Sequence, residues 1–186
     1  MRLEQRVVEL HRALEAHDVP HAFGGALALA YWSLDPRGTT DIDVNLFLPV
    51  DECVRALRAL PRGVEQPEGT EELIRRDGQI RLWWERTPVD LFFDYAPVHE
   101  DAARDRQIVP FLDTKIPVLG PVELAVFKAM FDRTKDWADI ETMIAAQRVD
   151  LDAVREALRE MLGDEDPRFA KLDEAERLAA AVGPPG

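Results

Sequence analysis

The chain has 186 residues and a hydrophobic content of 46%, which fits one globular domain with a small appendage and excludes disorder as its main state. Its formal net charge of −13 counts against a nonspecific nucleic-acid binder, because phosphate contacts need Lys and Arg, although the stretch from Asp101 to Arg148 is close to neutral and leaves room for a local basic patch. The single cysteine, Cys53, excludes an internal disulfide, no Cys/His cluster has zinc spacing, and the charged start M-R-L-E-Q-R together with the lack of a long apolar run points to a cytoplasmic setting with no membrane partner.

Leu3, Val7, Leu10 and Leu14 recur at helical spacing and predict an amphipathic helix, ended before Pro20. V-P-H-A-F is a short strand candidate. Gly24-Gly25 breaks it, and A-L-A-L-A-Y-W follows as a short apolar helix. The segment S-L-D-P-R-G-T-T carries loop signals. Asp41 to Leu48 reads as a strand, and Asp51 is placed to cap a helix running to about Leu60. Pro61 to Thr70 reads as a loop, with a weak helix from Glu71 to Asp77. Gln79–Glu85 and Val89–Phe93 are strand-like, and the short R-T-P link predicts a hairpin. Gln107–Phe111 and Lys115–Leu119 are weaker strand candidates. From Pro121 the character turns helical: Gly120-Pro121 starts one helix, and Thr134, Asp150 and Asp166-Pro167 introduce three more. The expected architecture is therefore α+β, a mixed β-sheet flanked by helices over residues 1–120, with a C-terminal helical region over 121–186.

Asp41 and Asp43 sit one residue apart in I-D-V-N-L-F-L. Residues two apart on a strand share a face, so both carboxylates project together while Ile42 and Val44 point to the core. Their Cα atoms would lie about 7 Å apart. Without a cation, repulsion would raise one pKa; a hard divalent ion such as Mg²⁺, with Mn²⁺ as the alternative, removes the conflict. Asp90 in V-D-L is a third acid on a strand with an apolar opposite face, and Asp94 shares that face. Three such acids can hold two metals about 4 Å apart. With 36 acids in the chain, a lone D-x-D is more often a solvated strand edge.

Gly24-Gly25 at a strand-to-helix junction allows positive φ and close backbone approach, and the helix start suits phosphate oxygens. A bare G-G is more often a tight turn with close packing. Lys128 stands in P-V-E-L-A-V-F-K-A-M-F, which is apolar almost all round. A buried ammonium needs a partner, either a phosphate, an active-site carboxylate, or simply Asp132 one turn on. Asp136, Ile140 and Met143 share one stripe of the next helix, with Arg133 and Lys135 as nearby cations. Trp83 and Trp84 could stack a base, though a core or hairpin role suits them better.

In order, strand, G-G, short helix, R-G-T-T-D-I-D-V and a later V-D-L resemble the nucleotidyltransferase superfamily with a polymerase-β-like palm. F-K-A-M-F-D-R-T-K-D-W-A-D-I, with Lys128, Arg133, Lys135, Asp136 and Asp139, resembles the second motif of the AbiEii/AbiGii-type toxin nucleotidyl transferases, and Arg37 and Thr39 fit the first. The resemblance covers roughly Phe23 to Ile144. It implies Asp41, Asp43 and Asp90 as metal-holding and catalytic acids, with Lys128 and Asp136 also in the catalytic set. Gly24, Gly25, Arg37, Thr39, Lys128 and Arg133 would serve the nucleotide, with Asp90 as the family-style proton acceptor. It further implies transfer from an NTP to a hydroxyl, at the 3′ end of tRNA for a toxin partnered by an antitoxin. The alternatives are a small-molecule or protein hydroxyl, or a non-catalytic nucleotide- or partner-binding module on the same fold.

Overall fold

The computed structural model describes residues 1–33, 38–94 and 98–182, and the side chains of all of these but Val182. Helix α1 (Leu3–Ala16) leads to strand β1 (His21–Phe23) and helix α2 (Gly25–Trp32). Strand β2 (Ile42–Pro49) is followed by a 3₁₀ turn (Val50–Glu52), α3 (Cys53–Ala59), the two-residue β3 (Val64–Glu65) and α4 (Thr70–Asp77). Strands β4 (Gln79–Trp84) and β5 (Thr87–Asp94) form a hairpin; α5 (Val98–Asp105), β6 (Gln107–Phe111) and β7 (Thr114–Val118) complete the first part. Four helices follow: α6 (Pro121–Phe131), α7 (Thr134–Ala145), α8 (Leu151–Leu162) and α9 (Arg168–Val182).

Two compact units emerge. The first holds Met1–Leu27 and Gly38–Leu119; the second holds the rest of α2 from Ala28 and everything described from Gly120 onward. The first unit is built on a seven-stranded mixed sheet of order β3-β4-β5-β2-β1-β7-β6. Strand β2 runs parallel to β5 and antiparallel to β1, and β1 runs parallel to β7. The alternation read in the sequence explains the burial. Ile42, Val44 and Leu46 of β2 and Val89, Leu91 and Phe93 of β5 point to one face and are buried, while Asp43, Asp90 and Asp94 take the other. Helices α1, α3 and α4 pack with one another and against β2, β4 and β7. In the second unit α7 packs on α6 and α9, and α8 packs on α6, around Ile140, Met143, Leu158 and Leu172.

Several local expectations need correction. Asp41 lies in a bend one residue before β2, because the strand ladder begins at Ile42 opposite Val89. Asp51 does not cap α3. The chain turns earlier, at Pro49 (φ −61°), so Asp51 falls inside the 3₁₀ turn and Glu52 takes the cap position with no side-chain bond. Thr134 is the first residue of α7 and not its cap; Arg133 takes that place in extended backbone, because Asp132 ends α6 at φ 56° and leaves a two-residue connection. Asp150 does cap α8, accepting from the N–H groups of Asp152 and Ala153. The hairpin turn falls at Glu85–Arg86, with Thr87 and Pro88 already in β5. Strand β3 and helix α5 escaped the sequence reading: the first is too short to show alternation, and α5 buries only Val98, His99 and Ala102.

His11 of α1 and His21 of β1 meet inside the first unit, Nδ1 to Nε2 at 3.0 Å. Val19 O can only accept, so the 2.8 Å contact assigns His21 Nδ1–H as its donor. His21 Nε2 then accepts from His11 Nδ1–H. Burial first, with the neighbouring His11 and Arg106 charges, drives the His21 pKa down to about 4. Burial also lowers His11, against the pull of Glu15. Between about pH 4 and 6.5 the unfolded chain therefore binds more protons than the folded one. The His21 contribution to stability is full above about 6.5 and is lost as pH falls toward 4, by up to about 3 kcal/mol. Urea unfolding at stepped pH should show the midpoint falling below pH 6.5, and His21→Gln should flatten that slope. An unchanged slope in the variant would assign the pH dependence elsewhere.

Candidate active site

The site is built where β1 ends. Gly24 N–H donates to Asp43 O at 2.9 Å, which ties the turn after β1 to the neighbouring strand β2. Gly25 takes φ +52°, and a Cβ at that position would overlap the Asp43 carboxylate. Only glycine tolerates both conditions. A Cβ on Gly24 would come within 2.9 Å of Asn45 Nδ2. The Asp43 side chain thus lies directly over the glycine turn that opens α2.

Parallel pairing of β2 with β5 sets Asp43 opposite Asp90. Neighbouring strands lie about 4.8 Å apart, so two like charges stand side by side on one face. Asp94 is opposite Pro49, four residues or about 13 Å further along, so the register selects Asp90 over Asp94 as the third acid. Asp41, just before the strand, accepts a hydrogen bond from the Thr39 hydroxyl. Arg37 lies outside the described residues.

The register of the hairpin then adds a residue that the sequence reading missed. Arg81 of β4 is opposite Asp90 and grips it with a fork, Nε to Oδ1 at 2.7 Å and Nη2 to Oδ2 at 2.6 Å. That fork first, and behind it the negative charges of Asp90, Asp41 and Asp43, hold the Arg81 guanidinium more firmly protonated than usual. Arg81 thus binds Asp90 directly and feels the charges of Asp41 and Asp43. The signal was present in the sequence only as a cation nine residues before Asp90 across a short turn. A cleft of 360 Å³ opens beside the pair, walled by Leu73, Asp77, Gln79, Arg81, Asp90 and Phe92 among others. The two tryptophans separate. Trp84 is buried under the Arg6 guanidinium, whereas Trp83 is 45% exposed on the Arg81 face of β4.

The donors on this face are carboxylate oxygens, which suit a hard divalent cation. Gly25, lacking a Cβ, leaves the Asp43 carboxylate its place. Among the described residues, no group of three or more acids, histidines or cysteines is already gathered tightly enough to hold a metal. Asp90 instead spends both oxygens on Arg81. The chemistry of the three acids fits a divalent ion, provided that Arg81 yields.

The second unit holds the remaining predicted residues. Lys128 of α6 donates to Asp139 Oδ2 at 2.6 Å and stands 3.8 Å from Asp136 Oδ1, both on α7. Arg133 grips Asp136 with Nε at 2.6 Å and Nη2 at 3.1 Å. Lys128, Asp136 and Asp139 are buried, and with Arg133 their charges sum to zero. The partner suggested by spacing, Asp132, is turned instead to Trp137 Nε1 and Lys171 Nζ at 2.7 and 2.6 Å. Lys135 is exposed.

A family model described as nucleotidyl transferase AbiEii toxin, type IV toxin–antitoxin system, matches residues 10–182. The chain belongs to this AbiEii family. It is a nucleotidyltransferase. No curated protein sequence matches it. Among solved structures, the AbiEii chain is similar to the solution structure of the antibiotic-resistance factor ANT(2″)-Ia, with TM-score 0.60 and 12% identity over 94% of this chain and 97% of that one. A crystal structure of ANT(2″)-Ia with adenylyl-2″-tobramycin gives TM-score 0.51 at 10% identity, covering 96% and 97%. An antigenic nucleotidyltransferase-like protein from Paracoccidioides brasiliensis gives 0.50 at 17%, covering 91% and 92%. At these identities the likeness establishes the fold. Among the described residues, no helix of this AbiEii chain is long and apolar enough to cross a membrane.

Lys128→Met would leave Asp136 and Asp139 buried without the ammonium between them. Removing one partner of a buried pair costs about 3–5 kcal/mol, so the variant should unfold at markedly lower urea. A loss under about 1 kcal/mol would show that the ion pairs do not secure α6 to α7.

Proposed function

We propose that the chain transfers a nucleoside monophosphate from an NTP to a hydroxyl acceptor at the face shared by Asp41, Asp43 and Asp90, in a toxin-like role. The observation that carries this reading is the in-register pairing of Asp43 with Asp90 beside the Gly24-Gly25 turn. Asp41, Asp43 and Asp90 would hold Mg²⁺, or Mn²⁺ in its place. When bound, the metal neutralises phosphate charge and favours ionisation of the attacking hydroxyl. Gly24 and Gly25 would present backbone N–H groups to the triphosphate at the start of α2. The acceptor oxygen forms its bond to the α-phosphorus, the bond from that phosphorus to the bridging oxygen breaks, and pyrophosphate leaves. The acceptor proton passes to a carboxylate, for which Asp90 is the candidate. Most of the acceleration would come from position and charge compensation. Thr39 supports the cluster through Asp41. Lys128 and Arg133 would serve the nucleotide while held by Asp139 and Asp136 within the second unit. Asp136 would act there as the partner that positions both cations.

The family description supports a toxin role within a toxin–antitoxin system; tRNA as the acceptor and an antitoxin protein as the partner are what the resemblance to such toxins implies. The net charge of −13 favours a second reading of the acceptor, a small hydroxyl compound, since broad RNA affinity needs basic surface. The structure of ANT(2″)-Ia with adenylyl-2″-tobramycin supports that second reading by likeness of fold.

Labelled NTPs, Mg²⁺ and either total tRNA or tobramycin separate the two. Label should move to one acceptor class, and Asp41→Ala or Asp43→Ala should reduce it by about 10³-fold while leaving the fold intact by circular dichroism. Metal-independent transfer, or full activity in both variants, would end the proposal.

A further inference from the structure

We propose that Arg81 is a positioning residue that fills the cation place of the acid cluster before metal arrives, so that a divalent ion and Arg81 compete for Asp90. This rests on the reading of Asp41, Asp43 and Asp90 as the metal-holding acids.

Three observations carry it. First, the pair is imposed by register and not by chance side-chain reach. The two-residue turn at Glu85–Arg86 fixes Arg81 opposite Asp90, and β2 fixes Asp43 on the other side of Asp90. Asp43, Asp90 and Arg81 form one row across three strands. Second, the fork uses both oxygens of Asp90. The fork engages one lone pair on each oxygen, so an ion approaching from the Asp43 side meets a carboxylate whose orientation and charge Arg81 already holds, and binding through both oxygens must draw it away from Arg81. Third, the exposures are unequal. The Arg81 side chain is 53% exposed and that of Asp90 13%. Arg81 can swing into water with its charge solvated, whereas Asp90 stays where the strand holds it.

The charge balance gives the direction. Arg81 places one positive charge against Asp90, so it weakens the pull that these acids exert on a divalent ion. Any ion that binds more weakly because Arg81 is paired must, by reciprocity, loosen the Arg81 pair when it binds. Arg81 therefore keeps the metal-free cluster folded and lowers its divalent affinity at the same time. A merely structural cross-strand pair would help stability slightly and leave metal affinity alone.

The test is a nucleotide-free titration of the full chain with Mn²⁺, followed by the electron paramagnetic resonance of free Mn²⁺. Arg81→Gln should bind Mn²⁺ about tenfold more tightly than wild type, the effect of deleting one charge a few ångströms away. Arg81→Lys, which keeps the charge and loses the fork, should lie between the two. In EDTA, Arg81→Gln should melt below wild type, and the gap should close when Mn²⁺ is added. Equal or weaker Mn²⁺ binding by Arg81→Gln, with wild-type binding that Asp43→Ala abolishes, overturns the competition and leaves the site reading standing. Wild-type protein that binds no Mn²⁺, or binding indifferent to Asp43→Ala, overturns both.

Discussion

Parallel pairing of β2 with β5 is the constraint on which the site depends. Once Ile42 faces Val89 and Val44 faces Leu91 in the core, Asp43 has no option but to stand beside Asp90. A slip of one residue in either strand would send its acid inward and its core side chains outward, at a cost far above any local gain. The fold therefore enforces a concentration of negative charge on one face of the sheet, and every neighbouring feature answers it. Glycine at position 25 lets the Asp43 carboxylate lie where a side chain would otherwise sit. Thr39 donates to Asp41, and Arg81 forks Asp90.

The second unit solves a related problem in the opposite way. There the acids are buried, and each is matched by a cation: Lys128 between Asp139 and Asp136, and Arg133 on Asp136. Buried ions persist only when paired and hydrogen-bonded, and among the described residues Lys128 and Arg133 supply those pairs. On the sheet face the Asp90 carboxylate is held by a half-exposed arginine. An acid held by a half-exposed cation can exchange it for cationic charge from outside; a buried, paired one resists rearrangement. That contrast is the physical reason for proposing that the chemistry of this AbiEii-family chain lies on the β2–β5 face and that α6 and α7 have a mainly supporting part.

The acceptor question turns on charge of a different kind. A protein at −13 repels polyanions at long range, so an RNA acceptor must be held by local contacts that outweigh the overall field. A small neutral or cationic acceptor meets no such barrier. Trp83, exposed on the Arg81 face of β4, offers an aromatic surface two residues from Arg81.

Much of this was legible in the chain. Period-two alternation marked β2 and β5, the glycine pair marked the turn, and the ordered motifs identified the family, because each of these signals is local and repeats within a few residues. What stayed hidden depends on partners distant in sequence. Spacing suggested Asp132 for Lys128, yet the helix ends at Asp132 in left-handed backbone and Asp139 and Asp136 come from the next helix. Asp41 read as strand, although the ladder starts one residue later. Arg81 was invisible as a partner of Asp90 because its place depends on where the hairpin turns, at Glu85–Arg86 instead of R-T-P. Sequence alone determined which residues could bear charge on a sheet face, since that follows from alternation and burial. Only the tertiary structure decided which charges meet, because strand register is settled by core packing and turn geometry together.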